Sequence, residues 1–134
     1  MVEAPLNKIL LVEDEADIRF IVKFTLEKQA GFIIKCCESG HEAINEAGIF
    51  SPDIILMDVM MPSLDGVETF KILKKMPALA ETPVVFMTAK SQASEIESYK
   101  AIGAFDVISK PFNVTMLADT LRAIWRRYNE QRGR

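Results

Sequence analysis

Five short runs dominate the chain: Lys8-Ile9-Leu10-Leu11-Val12, Phe32-Ile33-Ile34-Lys35-Cys36, Ile54-Ile55-Leu56-Met57, Pro83-Val84-Val85-Phe86-Met87 and Asp106-Val107-Ile108-Ser109. Apolar runs of four or five residues bounded by turn formers read as strands buried on both faces. Between them lie longer stretches whose apolar residues recur three and four apart, the period of a helix packed by one stripe. Strand and helix in alternation predict βαβα order and a parallel sheet covered on both sides, because a parallel connection needs a crossover helix. The 134 residues suit one such domain with one core. The expectation is a single α/β domain over 1–134, with its core at about 8–128 and a short polar tail at 129–134.

The helix after the first strand should bury Ile18, Ile21, Val22 and Leu26 and stop at Gly31. Ser39-Gly40-His41-Glu42 has the spacing of a capping box and opens a helix carrying Ala43, Ile44 and Ala47. Asp65 and Glu68 repeat that signal before a third helix, with Val67, Phe70 and Leu73 inward and an end before Pro77. The stretch from Ser91 to Ile102 is polar, with only Ile96, Tyr99 and Ile102 as a weak apolar stripe, so it should be the least firmly packed helix; Gly103 ends it. Asn113 should cap the last helix, which keeps Leu117, Leu121, Ile124 and Tyr128 on one face.

A formal net charge of −3 gives no whole-chain electrostatic reason to expect nucleic acid or an anionic membrane as partner. Arg122, Arg126, Arg127, Arg132 and Arg134 gather late and read as a solvated helix face and tail. The only cysteines, Cys36 and Cys37, are adjacent on a strand and point to opposite faces, so they read as reduced thiols. The start, Met1-Val2-Glu3-Ala4-Pro5, lacks a signal pattern, and no apolar run approaches the ~20 residues of a membrane span. A cytoplasmic protein is expected. His41, the only histidine, has no second histidine or nearby cysteine to share a metal and should be exposed.

The chemistry lies where the strands end. In an open parallel sheet the loops leaving the carboxyl ends of the strands form a crevice. Strands one, three, four and five would bring Glu13, Asp14, Asp58, Thr88 and Lys110 to that one rim. Two like charges ~4 Å apart at an effective dielectric of about 20 repel by roughly 4 kcal/mol, so three carboxylates should raise a pKa or recruit a cation. An all-oxygen site with few protein ligands suits Mg²⁺. A carboxylate can also accept a phosphoryl group as an aspartyl phosphate, a transfer that depends on charge neutralisation and alignment. Mg²⁺ would then bridge Asp58 and the phosphoryl oxygens, Lys110 would neutralise another oxygen and Thr88 would donate a hydrogen bond to a third. Asp58 needs no general base, being already ionised.

Taken together, Ile9-Leu10-Leu11-Val12-Glu13-Asp14, Asp53-Ile54-Ile55-Leu56-Met57-Asp58 with Met61-Pro62 and Asp65-Gly66, Thr88-Ala89, and Gly103-Ala104 with Lys110-Pro111-Phe112 carry a family likeness. From Lys8 to about Tyr128 the chain resembles the receiver domain of bacterial two-component response regulators, of which the single-domain chemotaxis regulator is the best-known type. The resemblance implies a flavodoxin-like doubly wound fold with a five-stranded parallel sheet in order 2-1-3-4-5. It implies phosphorylation of Asp58 by a histidine kinase or histidine phosphotransfer protein. It implies Mg²⁺ held by Asp14, Asp58 and the main-chain carbonyl of Met60, with Glu13 acting through metal-bound water, and Thr88 and Lys110 reading the phosphoryl group.

One position departs from the pattern: receivers commonly carry tyrosine or phenylalanine three residues before the lysine, and here stands Val107. Phe105, two residues earlier, should share its strand face. Phosphorylation would instead bias the Thr88 loop and the weak fourth helix. The expected output is a downstream protein docking on helix 4, strand 5 and helix 5, with Tyr99, Lys100 and Arg122 as candidates, in a monomer or a phosphorylation-dependent dimer. Rival readings are a fragment of a longer transcription factor or hybrid kinase, and a phosphatase of the haloacid dehalogenase kind. That phosphatase chemistry needs an acid two residues after the nucleophile, where Met60 stands. No glycine-rich phosphate loop follows any strand, which disfavours a nucleotide-binding module. The domain should phosphorylate itself and hydrolyse slowly without turning over a separate substrate.

Overall fold

A computed structural model describes residues 4–133; Met1, Val2, Glu3 and Arg134 lie outside the described residues, and with them part of the expected amino-terminal and basic segments. The elements are β1 (Lys8–Val12), α1 (Ala16–Ala30), β2 (Ile33–Cys37), α2 (Gly40–Phe50), β3 (Ile54–Asp58), α3 (Gly66–Lys74), β4 (Val84–Thr88), α4 (Ala93–Ala101), β5 (Asp106–Ser109) and α5 (Leu117–Arg132). The strands form one parallel sheet in order β2-β1-β3-β4-β5, the doubly wound, flavodoxin-like arrangement.

Alternation along the central strands divides the interior in two. Ile9 and Leu11 of β1, Ile54 and Leu56 of β3, and Val85 and Met87 of β4 face α1 and α5. Leu10, Val12, Ile55, Met57, Val84 and Phe86 face the other side with α2 and α3. Every residue of β3 and β4 is buried. At about 1.5–3 kcal/mol for each large apolar side chain taken from water, these strands form the rigid floor on which the rim is built. Glycine matters at two places. Gly31 ends α1 in the left-handed region (φ 72°), and its amide donates to the carbonyls of Glu27 and Leu26. Gly66 approaches the backbone of β3 so closely that a Cβ would lie 2.2 Å from the Asp58 carbonyl oxygen.

Several expectations need correcting. Strand β2 starts one residue later than predicted, with Phe32 buried just before it. Ile21 is 43% exposed rather than buried, because it lies at the edge of the stripe formed by Val22, Thr25 and Leu26. The box at Ser39 is half closed: Ser39 Oγ accepts from the Glu42 amide (3.1 Å), but the Glu42 carboxylate accepts from Glu38, not from Ser39. Asn113 caps a 3₁₀ turn, Val114–Met116, that leads into α5, accepting from the Thr115 amide at 3.0 Å. The box at Asp65 and Glu68 closes in both directions, as predicted.

The fourth helix is as loosely held as its composition implies: none of its nine residues is fully buried. Its main anchor is the half-buried Tyr99, whose ring meets Phe86 edge-on at 5.4 Å, while Phe86 meets Phe70 of α3 in the same manner. Cys36 and Cys37 are free, and burial pushes the Cys37 thiol up to about 12. Among the described residues no helix is long and apolar enough to cross a membrane.

Candidate functional site

The register of the sheet sets the rim. Val12 pairs with Met57, Asp58 with Met87, and Thr88 with Ser109, so Glu13, Asp14, Asp58, Thr88 and Lys110 leave their strands at one level. Glu13, Asp14 and Asp58 each offer an oxygen within 4.8 Å of the others. Lys110 joins them: its Nζ lies 2.9 Å from Glu13 Oε1 and 3.2 Å from Asp58 Oδ1. Glu13 is fully buried and Asp58 is 3% exposed.

The surrounding main chain holds these groups in place. Asp58 Oδ1 accepts from the Met60 amide at 3.3 Å, and Glu13 Oε2 from the Glu15 amide at 3.1 Å. The amide of Lys90 donates to Thr88 Oγ1 at 3.0 Å, which uses a lone pair of the hydroxyl and leaves its proton free for another acceptor. Arg19 was not among the residues picked out from sequence. Its Nη1 donates to the carbonyls of both Glu13 and Asp14, each at 2.9 Å, and pins the loop that carries two of the three acids. Only an arginine on the first turns of the following helix hinted at it, a signal that many exposed helices share.

Burial, then the nearby charge of Glu13, raises the Asp58 carboxyl to about 7 despite the ammonium of Lys110. Burial pulls Lys110 downward, but the hydrogen bond it donates to Glu13 and the charge of Asp58 outweigh it, and the ammonium is held above its ordinary value. Three carboxyl groups against one ammonium leave an excess of oxygen donors and negative charge. That donor set fits a hard divalent cation such as Mg²⁺.

His41 is exposed, 3.5 Å from Ser63 Oγ, and takes no part in this cluster. The surface over α4, β5 and α5 is tied internally: Asp106 of β5 meets Lys100 of α4 at 3.6 Å and also Arg127 of α5. Arg122 does not belong to that surface. It stacks over the Phe32 ring and donates to the Ala30 carbonyl, toward α1 and β2. Phe105 and Val107 also part company: Phe105 precedes the strand, so period two does not govern it, and its ring packs edge-on against Tyr128. Val107, like Tyr99, packs against the core on the opposite side of the sheet from Phe105.

Comparison with known proteins finds a family, two curated relatives and a solved structure. The model of the response regulator receiver domain matches residues 9–122. The phosphate regulon transcriptional regulatory protein PhoB of Klebsiella pneumoniae is 38% identical over 121 residues, covering 90% of this chain and 52% of that protein. The alkaline phosphatase synthesis transcriptional regulatory protein PhoP of Bacillus subtilis is 34% identical over 121 residues, 90% of this chain and 49% of its own length. The chain thus spans about half the length of these curated relatives. The chemotaxis response regulator CheY4 of Vibrio cholerae superposes with a TM-score of 0.82 at 32% identity, covering 89% of this chain and 98% of that one.

Proposed function

Because this chain belongs to the response regulator receiver domain family, we propose that it is a phosphoacceptor: Asp58 takes a phosphoryl group from a histidine kinase or histidine phosphotransfer protein. The observation that supports this most directly is the convergence of Glu13, Asp14, Asp58 and Lys110, with the ammonium 3.2 Å from Asp58 and 2.9 Å from Glu13. Asp14, Asp58 and the main-chain carbonyl of Met60 would hold Mg²⁺, with Glu13 acting through a water. Bound there, the ion supplies positive charge against the phosphoryl oxygens.

The rest falls to the chain's own groups. An Asp58 oxygen attacks the phosphorus as a carboxylate, so deprotonation of this raised acid precedes transfer. Lys110 can turn its charge from the acids to a phosphoryl oxygen, and Thr88 has its hydroxyl proton available for another. The domain turns over no separate substrate; it phosphorylates itself and hydrolyses the product slowly. The output surface is α4, β5 and α5, with Tyr99, Lys100 and, in place of Arg122, Arg127. The doubled length of the relatives favours a second reading in which this domain is the input half of a longer regulator. Free thiols suit a cytoplasmic setting.

The test is the intact mass after incubation with Mg²⁺ and acetyl phosphate, with Asp58→Asn alongside. One labile phosphoryl adduct on the wild type and none on the variant is expected. An adduct that persists in the variant would sink the assignment.

A further inference from the structure

Beside Lys110 the surface opens into a trough of about 410 Å³. Ile18 and Ile21 of α1 form one wall, and Phe112 and Val114, from the segment after β5, form the other. Ala89 and Lys110 also line it. Lys110 directs its ammonium onto Glu13 and Asp58, so its methylene stem borders the trough while its charge faces the acids. Ala89 directly follows Thr88 and contributes only a methyl group. The trough therefore lies beside the acceptor, sharing with it Lys110, which pairs with Asp58, and Ala89, which follows Thr88. One wall is Ile21, whose partial exposure the helical pattern did not foresee.

A phosphoryl donor for Asp58 brings its phosphorus to the carboxylate with the leaving group directed away. A phosphate whose anionic head meets Lys110 and Thr88 would lay a hydrocarbon tail beside this apolar trough. Resting on the reading of Asp58 as phosphoacceptor, we propose that the trough takes the tail of an acyl phosphate bulkier than acetyl. Aromatic or longer-chain acyl phosphates then serve as small-molecule donors in preference to acetyl phosphate. The step needs no further reactant. Once Asp58 is ionised, one of its oxygen lone pairs forms the new O–P bond, the bond from phosphorus to the acyl oxygen breaks, and its electron pair leaves on the donor's carboxylate, with no proton moved in the transfer itself.

The test compares initial phosphorylation rates with benzoyl phosphate and acetyl phosphate, each with Mg²⁺, in the wild type, Ile21→Ser and Ala89→Leu. The ratio of the two rates is compared between proteins, which cancels the donors' intrinsic reactivities. Ile21→Ser should lower the benzoyl-to-acetyl ratio about fivefold and leave the acetyl phosphate rate unchanged. Ala89→Leu, which narrows the inner end, should lower the ratio about tenfold. A ratio equal in all three proteins overturns the proposal while leaving the phosphoacceptor reading intact, and the trough would then serve only a protein donor. If Ile21→Ser loses both rates while its circular dichroism matches the wild type, tail binding is likewise overturned. No adduct on the wild type with either donor would remove the reading on which the proposal rests.

Discussion

Replacing Asp58 with asparagine should stabilise the metal-free domain, and the gain should depend on pH. In the folded chain burial and Glu13 raise this carboxyl from 3.8 to about 7. The native state therefore keeps a proton that the unfolded chain gives up between those two values. Stability contributed by that proton is fully present below about pH 4 and is lost as pH rises through about 7. At 1.36 kcal/mol per pKa unit the difference of about three units sets an upper bound of roughly 4 kcal/mol at pH 8. The Asp58 side of the Lys110 pair is also lost in the variant, so the expected gain is about 2–4 kcal/mol. With a urea slope of about 2 kcal/mol per molar, the midpoint should rise by about 1–2 M. The assay is urea unfolding in EDTA at pH 8 and pH 4, followed by circular dichroism. Coincident curves at pH 4 and a more stable variant at pH 8 are expected. A gap of the same size at both pH values, or a less stable variant at pH 8, would refute the charge argument.

Other perturbations probe the supports of the site. Lys110→Ala removes the ammonium from two buried acids and should cost about 3 kcal/mol at pH 8 in the same unfolding assay. Gly66→Ala forces a methyl to within 2.2 Å of the Asp58 carbonyl oxygen and 2.8 Å of Val59 Cα, and should cost at least about 2 kcal/mol, read as a lowered thermal midpoint. Tyr99→Ala removes the main anchor of α4 and should speed amide hydrogen exchange across 93–101 by about tenfold while leaving β4 protected. Slow exchange that persists in α4 would show that another contact holds the helix.

Much of this arrangement is legible in the residues because the signals are local. The central strands are runs rich in apolar residues, and the acids, hydroxyl and lysine stand directly after the first, third, fourth and fifth runs, so strand order alone brings them together. Other features were hidden because they depend on choices between near neighbours. Glu42 accepts from Glu38 rather than Ser39, a difference of one residue along the turn that the box spacing cannot encode. Both flanks of α5 carry arginine, and only the packed helix decides that Arg127 meets Asp106 while Arg122 meets Ala30 and Phe32. The trough arises between α1 and the segment after β5, which lie far apart in sequence, so helical periodicity assigned Ile21 to the core.

The helices α3 and α4, which flank the loops after β3 and β4, differ in mechanical compliance. Gly66 presses the start of α3 against the Asp58 carbonyl, and Thr69, Phe70 and Leu73 bury that helix against the sheet. Helix α4 has no fully buried residue and rests chiefly on one half-buried ring. Under the same load, a helix held this way yields more than one pressed onto the sheet. The α3 side is the stiff support of the rim, and α4 is the compliant one.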